Sequence, residues 1–499
     1  MSLLGIDVGT AGCKAAVFSA DGAMRSSAYR EYPTRHERDG WAELDSRQVV
    51  ARVKETIAEA AAGARGDPVT ALSVSSMGEA VTPVARDGRI LDSSILSSDV
   101  RGGDLLERAM RGLGREAFYE INANILAPNY TLPKLLWLKA HRPDVYREAD
   151  KFLLWGDLVG TALGCEPVTS FSLASRTLLF DLRREDWSDA LLERGGIDRA
   201  KLPRCVPSGT VAGTVSDAAA AELGLPRGVA VVVGGHDQSC NSLGAGAAEA
   251  GKAVCGIGTV ECMTPTFGLV PPAAAMLARG LNVEHHVLAG LYVSFLFNQA
   301  GSLVRWFRDT FAAADRDRLR GKEDVYDVLA REMPAEPTRL LVLPHFEATG
   351  APHFISDSAG AVVGLRTRTT RGEILKAIME SATFYFVETI DSLKALGIDT
   401  SEFVATGGGA KSDAWLQIKA DVFGLRFVRP AITECGVVGA AILAGLATGA
   451  LGSVPEAIGR FVRRDRVFEP DAARHAVYEE RVRAYQRLYP ALKDLLAGL

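Results

Sequence analysis

Apolar residues occur along the chain in short unbroken runs and in longer stretches with helical periodicity. Residues 229–233 are four valines and one alanine, which predicts a buried strand that the glycines at 234–235 end sharply. From Arg371 to Leu396, apolar residues recur every three or four positions and Gly397 follows, which predicts the clearest helix. Further strands are predicted at 69–74, 81–85 and 403–405, and further helices after Asp45 or Ser46, at 412–423 and at 471–488. This alternation predicts an α/β fold.

Two segments, one in each half of the chain, share a strand–turn–strand pattern. Residues 4–18 and 253–263 each contain a Gly-Thr pair between two apolar runs. The repetition argues for two related halves, each an open sheet with flanking helices. We place the boundary in the glycine- and alanine-rich stretch 244–251, which predicts domains at 1–245 and 246–499.

Composition narrows the classes of function. A chain of 499 residues is too long for one ordinary core. The formal net charge is −5 and there is no basic stripe, which argues against a nucleic-acid partner. Seven cysteines without a Cys-x-x-Cys pair give neither a disulfide framework nor a zinc site, so we expect a cytoplasmic protein. Residues 435–455 carry no charge, but their five glycines favour a tightly packed helix over a membrane span.

Asp237 is the candidate catalytic residue. It follows the predicted strand 229–233, and α/β proteins usually hold ligands at the carboxyl ends of their strands. It also lies between the two Gly-Thr hairpins in sequence. The pattern suggests a two-lobed phosphate clamp with a base at its centre.

The first hairpin has the composition of a phosphate-binding turn. Glycines at positions 5, 9 and 12 let backbone N–H groups approach an anion, while Thr10 adds a hydroxyl and Lys14 a positive charge. A carboxylate at Asp7 suits phosphates only if a metal ion lies between them, which favours a magnesium-bound nucleotide. The alternative is an edge hairpin whose glycines only make a turn. The triple glycine 407–409, between a strand and a helix, could receive a phosphate or the face of an adenine.

These features resemble the FGGY family of carbohydrate kinases, within the actin-like ATPase superfamily. The sharpest match is 360–365, followed after seven residues by 373–380, which fits the family's C-terminal signature at every defined position. The resemblance extends from Leu4 to about Ala447. It implies an α/β fold of two ribonuclease-H-like (actin-like ATPase) domains with a central cleft. It also implies phosphoryl transfer from MgATP to a hydroxyl of a ketose or polyol.

The resemblance further implies roles for single residues. Asp237 would be the general base and Asp7 would face the metal-bound phosphates, so ATP and Mg²⁺ are the expected cofactors. At Asp413 the family often has an asparagine. The residues expected to line the nucleotide are Thr10, Lys14, Gly258, Thr259, Gly301, Gly408, Gly409 and Asp413.

The sugar site is less completely matched. The family's Trp-x-Asp-x-Arg element has Ser97 in the tryptophan position, and the loop at 77–79 agrees only partly with xylulokinases or glycerol kinases. The surroundings of Asp237 look closer to fuculokinases and rhamnulokinases. The resemblance therefore favours a ketopentose or 6-deoxyketohexose such as xylulose, ribulose or fuculose. The residues expected to bind it are Gly78, Glu79, Asp99, Arg101, His236 and Gln238.

Two other classes stay open, together with a kinase for a polyol such as glycerol or erythritol. One is an actin- or chaperone-like ATPase switch without kinase activity, and the other is a sugar-binding regulator of the repressor–kinase group. We expect a small-molecule sugar as partner and neither nucleic acid nor membrane; a homodimer, common in the family, stays open. His285 and His286 lack a third ligand at metal spacing, which favours a polar loop pair over a metal site.

Overall fold

The computed structural model describes residues 2–64, 66–350 and 353–499. The strands of the first half are β1 (Ser2–Val8), β2 (Gly12–Ser19), β3 (Met24–Glu31), β4 (Glu43–Leu44), β5 (Val69–Ser76), β6 (Val81–Val84), β7 (Ser94–Ile95), β8 (Lys151–Leu154), β9 (Val168–Ser170), β10 (Phe180–Asp181), β11 (Asp186–Trp187), β12 (Arg204–Val206), β13 (Val211–Thr214) and β14 (Ala230–His236). Its helices are α1 (Ser46–Gly63), α2 (Gly103–Ala109), α3 (Arg115–Ile121), α4 (Thr131–His141), α5 (Pro143–Glu148), α6 (Trp155–Ala162), α7 (Phe171–Ser175), α8 (Asp189–Gly195), α9 (Asp217–Leu223) and α10 (Asp237–Gly244).

The second half continues the alternation of strands and helices. Its strands are β15 (Lys252–Ile257), β16 (Val260–Phe267), β17 (Glu284–His285), β18 (Tyr292–Val293), β19 (Leu296–Gln299), β20 (Leu341–Leu343), β21 (Ala361–Val363), β22 (Glu402–Thr406), β23 (Arg426–Pro430) and β24 (Arg464–Phe468). Its helices are α11 (Ala273–Leu277), α12 (Gly301–Phe311), α13 (Ala313–Leu319), α14 (Val325–Glu332), α15 (Arg371–Lys394), α16 (Asp413–Phe423), α17 (Cys435–Ala447), α18 (Val454–Phe461), α19 (Ala472–Gln486) and α20 (Leu488–Leu496).

The two large sheets repeat one topology. In the first, the order is β13-β14-β5-β1-β2-β3, with β1, β5 and β14 parallel and β2 antiparallel between β1 and β3. In the second, β15, β22 and β23 are parallel, and β16 is antiparallel to β15 on one side and to β18 and β19 on the other. Each sheet ends in an antiparallel strand, β13 beside β14 and β24 beside β23. The two related halves expected from the paired hairpins are therefore confirmed, as is the two-domain fold that the family resemblance implies.

The predicted helix boundaries agree closely with the structure because local signals set them. Asp45 caps α1, its carboxylate accepting from the backbone N–H groups of Arg47 and Gln48. Thr370 and Glu373 form a capping box at the start of α15. The helix predicted at 471–488 is two helices, α19 and α20, which meet at Arg487.

The glycines before Asp237 do not end the strand, so that part of the prediction is wrong. Strand β14 runs through both of them to His236. A Cβ at Gly234 would lie 1.9 Å from the carbonyl oxygen of Val74, so this glycine permits close packing of β14 on β5. The register slips by one residue between Val232 and Gly235, and such a bulge re-aims the end of a strand.

The small-residue helix α17 belongs to the second half of the chain but covers the first sheet. A Cβ at Gly5 in β1 would lie 1.9 Å from the carbonyl oxygen of Val437 in α17. A Cβ at Gly244 in α10 would lie equally close, at 1.9 Å, to the carbonyl oxygen of Cys435. The glycines thus let the two halves pack backbone to backbone. Within the described residues, no helix is long and apolar enough to cross a membrane.

Candidate active site

Polar side chains gather where the parallel strands of the first sheet end. Asp7 lies near the end of β1, Ser75 near the end of β5, and Asp237 directly follows β14. The hydroxyl of Ser75 donates a hydrogen bond to Asp7 Oδ1 at 2.5 Å. Burial raises the pKa of Asp7, and the nearby carboxylate of Glu434 raises it further. Asp7 and Asp237 therefore share one edge of the sheet, as the strand pattern predicts.

Asp237 is the first residue of α10 and remains partly accessible, with 32% of its side chain exposed. Its Oδ1 lies 3.2 Å from Nε2 of His236. Burial raises the pKa of Asp237 to about 7, and the negative charges of Asp7 and Glu79 contribute to the rise. A carboxylate with this pKa can take a proton near neutral pH and release it again.

A buried ion-pair cluster lies next to His236. The guanidinium of Arg176 donates from Nε to Glu79 Oε1 at 2.8 Å and from Nη1 to Glu284 Oε1. The amide of Asn282 also donates to Glu284 Oε1, at 2.8 Å. Glu79 has a φ of 51°, a left-handed conformation that few non-glycine residues adopt. Because Glu284 belongs to the second half of the chain, Arg176 links the two halves beside the candidate base.

Three polar atoms at this site have no hydrogen-bond partner among the described residues: Oδ1 of Asp237, Oε2 of Glu284 and Nδ1 of His236. The last two lie 3.9 Å apart. Burial and the charge of Arg176 hold the pKa of His236 well below its usual range, so the imidazole is neutral. In the tautomer that carries its proton on Nε2, the neutral ring has an acceptor at Nδ1. Oε2 of Glu284 and Nδ1 of His236 can therefore accept hydrogen bonds from hydroxyl groups.

Two further expected sugar residues, Gly78 and Gln238, lie beside this cluster. A Cβ at Gly78 would lie 3.0 Å from Arg176 Cγ and 3.1 Å from His236 Cδ2, so a side chain at this position would press against both residues. Gln238 follows Asp237 in the first turn of α10 and is partly buried.

Asp99 and Arg101 are buried and lie in a separate network. Nε of Arg101 donates to Asp99 Oδ1 at 2.9 Å, and the backbone N–H of Ala42 donates to Asp99 Oδ2 at 2.7 Å. The guanidinium carbon of Arg101 lies 3.6 Å from the centre of the Trp41 ring and Nη1 donates to Glu43 at 2.6 Å. These contacts already occupy the carboxylate of Asp99.

The sequence pattern did not identify Arg176, Asn282 or Glu284. Arg176 is the only charged residue between positions 167 and 180, and its side chain is only 12% exposed. A lone charge in an apolar stretch is costly to bury unless it is paired, and that isolation was the available signal.

The two Gly-Thr turns differ in what surrounds them. Thr10 is exposed, and the Nζ of Lys14 lies 2.6 Å from a carboxylate oxygen of Glu434. Thr259 accepts a hydrogen bond at Oγ1 from Arg305 at 3.0 Å. A Cβ at Gly301, where α12 begins, would lie 2.1 Å from the carbonyl oxygen of Gly258.

The triple glycine packs closely on the second hairpin and leaves one side open. A Cβ at Gly409 would lie 2.3 Å from Cγ2 of Ile257, whereas a Cβ at Gly408 would meet no atom within 4 Å. Asp413, at the start of α16, is held by Arg429 at 2.7 Å and by Arg466. Gly258, Thr259, Gly301, Gly408 and Gly409 therefore lie at neighbouring turns of the second half, with open space at Gly408, whereas Thr10 and Lys14 lie on the first hairpin.

The histidine pair at 285 and 286 is not a polar loop, so that prediction is wrong. Both residues are buried, and His285 is part of β17, with Nε2 3.0 Å from the carbonyl oxygen of Leu182. Burial lowers the pKa of His286 to about 3. In the part of the chain that the structure describes, no group of three or more His, Cys, Asp or Glu side chains could hold a metal ion by itself.

The two domains have the actin-like ATPase fold. The chain matches the FGGY family of carbohydrate kinases, in its N-terminal domain over residues 2–244 and in its C-terminal domain over residues 277–448. The protein belongs to this family and is an ATP-dependent kinase that phosphorylates a hydroxyl of a small-molecule sugar.

Individual relatives span the whole chain. The xylulose kinase of Bacillus subtilis is 28% identical, with coverage of 100% of this chain and 98% of the relative. The glycerol kinase of Alkalilimnicola ehrlichii is 30% identical, with coverage of 97% of each chain. The crystal structure of xylulose kinase from Rhodospirillum rubrum aligns with a TM-score of 0.88 at 25% identity over 99% of both chains.

Proposed function

We propose that the protein phosphorylates a ketopentose, with xylulose the first candidate, and that Asp237 is the general base. The observation that carries this proposal is the position of Asp237, partly exposed beside the cluster of His236, Arg176 and Glu284. The xylulose kinases among the relatives support the choice of sugar. A 6-deoxyketohexose such as fuculose is the second candidate, because it presents similar vicinal hydroxyls.

The proposed reaction begins with proton transfer from the substrate hydroxyl to the carboxylate of Asp237. The hydroxyl oxygen then forms a bond to the γ-phosphorus of ATP as the bond to the bridging oxygen of ADP breaks. General base catalysis contributes about 10²- to 10⁴-fold, which is about 3 to 5.5 kcal/mol of barrier. Positioning and charge neutralisation supply the rest, because the transition state of phosphoryl transfer is loose.

The sugar would be held mainly through its hydroxyl groups. Oε2 of Glu284 and Nδ1 of His236 are free acceptors for two hydroxyl protons, and Gln238 adds an amide at the start of α10. Glu79 and Arg176 would hold the carboxylate of Glu284 in position, in addition to any contact that they make with the sugar. Asp99 and Arg101 would shape the pocket wall through Trp41, because their own polar atoms are already paired.

The nucleotide would bind between the two Gly-Thr turns and the triple glycine. Its phosphates would meet Thr10, Gly258 and Thr259, and its nucleoside would occupy the open side of Gly408. Lys14 would have to leave Glu434 to reach a phosphate, and Asp413 would act through Arg429. Gly301 would serve by letting the backbone of Gly258 approach, and Gly409 by letting the side chain of Ile257 approach.

Asp7 would hold Mg²⁺ through one carboxylate oxygen. Ser75 occupies only Oδ1, and the described residues provide no hydrogen-bond partner for Oδ2. This suits Mg²⁺, which usually takes one or two protein carboxylates, substrate phosphates and water. When bound, the ion would neutralise charge that develops on the transferred phosphoryl group.

We further propose residues 1–245 as the domain that holds the sugar, the first hairpin and the base, and residues 246–499 as the nucleotide domain. The extents of the two family matches support this division. All seven cysteines are free thiols, which supports a cytoplasmic location. By analogy with the family, we also propose that the protein forms a homodimer. Light scattering on the purified protein tests this.

The direct test measures ADP release from MgATP with D- and L-xylulose, D- and L-ribulose, L-fuculose, L-rhamnulose, glycerol and erythritol, with and without Mg²⁺. Strong Mg²⁺-dependent stimulation by one ketopentose supports the proposal. Stimulation only by glycerol or erythritol would instead support a polyol kinase. Steady hydrolysis without stimulation by any of them would contradict the proposed substrates.

A further inference from the structure

A fully buried ion pair lies below the second Gly-Thr turn. Glu261 lies in β16, two residues after Thr259. Its Oε1 lies 2.6 Å from Nζ of Lys419 in α16. Both side chains are 0% exposed. Removing two charges from water is costly, and mutual attraction compensates for it only when the geometry fits closely.

Two groups, the thiol of Cys255 and the ammonium of Lys419, donate to the same oxygen of the Glu261 carboxylate. The thiol of Cys255 in β15 donates to Glu261 Oε1 at 3.2 Å, and Lys419 also donates to Oγ1 of Thr383 in α15 at 3.2 Å. Oε2 of Glu261 has no hydrogen-bond partner in the described parts of the chain. The side-chain amide of Asn298, which faces Glu261 across β16 and β19, also has none there. Lys419 is thus the charged group that fixes Glu261.

The pair connects the two turns to which the nucleotide is assigned. The second hairpin turns at 258–259, and only Ser412 separates the 3₁₀ turn Gly408–Lys411 from the start of α16. Above the pair the turns touch, since a Cβ at Gly407 would lie 2.8 Å from the carbonyl oxygen of Ile257. Any shift of α16 against β16 would therefore change the spacing between these turns.

We propose that Glu261 and Lys419 are positioning residues that set the distance between the phosphate turn at 258–259 and the glycine turn at 408–409. This inference rests on the proposed function, because it assumes that both turns bind ATP. Stability alone does not account for the pair, since apolar residues of similar volume often replace buried ion pairs without loss of stability. A fixed geometry between two binding segments does account for it.

The test uses the double variant Glu261→Met/Lys419→Met in the full chain, because either single change would leave an unpaired buried charge. The hydroxyl of Thr383 keeps its bond to the carbonyl oxygen of Met379, at 2.9 Å. The control is Lys376→Met, which removes another buried ammonium from the same half of the chain. Lys376 donates to three backbone carbonyls, those of residues 334, 335 and 336.

We expect the double variant to unfold within a few degrees of the wild type. Its KM for ATP should rise by at least about tenfold, because two turns at the wrong spacing lose contacts with bound ATP. The KM of the double variant for the sugar should stay within about twofold of the wild type. The affinity of the control variant for ADP, measured by calorimetry, should also stay within about twofold of the wild type. A folded double variant with unchanged KM for ATP and unchanged ADP affinity would overturn the inference. That result differs from failure of the proposed function, in which the wild type itself shows no sugar-dependent ADP release.

Discussion

The raised pKa of Asp237 predicts that the reaction is lost on the acid side of neutrality. Four charged or titratable groups affect this carboxylate: His236 at 3.2 Å, and the charges of Asp7, Glu79 and Arg176. Burial and the two carboxylates favour its neutral form, so its pKa is about 7 instead of the usual acidic value. A general base works only when ionised, so activity is present above this pKa and lost as pH falls through it.

The size of the effect follows from this single titration. With a pKa of about 7, the ionised fraction of Asp237 falls from about nine-tenths at pH 8 to about one-tenth at pH 6. The kcat/KM for the sugar should therefore fall by about tenfold over this interval, because this ratio reports the free enzyme. ADP should be quantified chromatographically, so that no coupling enzyme adds its own pH dependence.

Glu284 is the necessary control, because burial also raises its pKa to about 7. In Glu284→Gln the acid limb should remain at the same pH even if the overall rate is lower. A flat profile between pH 5.5 and 8 would refute the reasoning, as would a limb that disappears in Glu284→Gln.

Three further predictions follow from packing and from the two-domain fold. Gly408→Ala should leave stability unchanged, because its Cβ would meet no atom within 4 Å. It should raise the KM for ATP by about tenfold if the nucleoside lies there. The control is Gly160→Ala, whose Cβ would also meet no atom within 4 Å and which should leave the KM for ATP unchanged. Gly234→Ala should lower the free energy of unfolding by about 3 kcal/mol in urea titrations, because its Cβ would lie 1.9 Å from Val74 O, and a near-normal midpoint would contradict the packing. Sugar with a non-hydrolysable ATP analogue should close the two domains and lower the radius of gyration in X-ray scattering, whereas identical curves would count against closure.

The paired hairpins and the position of Asp237 were predictable because local patterns determine them. An apolar run followed closely by a carboxylate indicates a strand that ends near the carboxylate, and parallel strands then bring such ends to one edge. The exit at the glycines before Asp237 was predicted wrongly because their role depends on Val74, a residue distant in sequence.

The ion pairs could not be predicted in the same way. Arg176 and Glu284 are 108 residues apart, and Lys419 and Glu261 are 158 residues apart. Nothing in either local sequence indicates which charge will become the partner, because the tertiary fold alone brings them together. The sequence could only show that a charge interrupts an apolar stretch.

The central claim is that Asp237 accepts the proton of the sugar hydroxyl. The most direct measurement compares kcat of Asp237→Asn with that of the wild type on the best sugar of the panel, alongside calorimetric binding of sugar and of ATP. The amide keeps the size of the side chain but cannot take the proton, so kcat should fall by at least about 100-fold while both affinities stay within several-fold. A variant with near-normal kcat would contradict the assignment of Asp237 as the base.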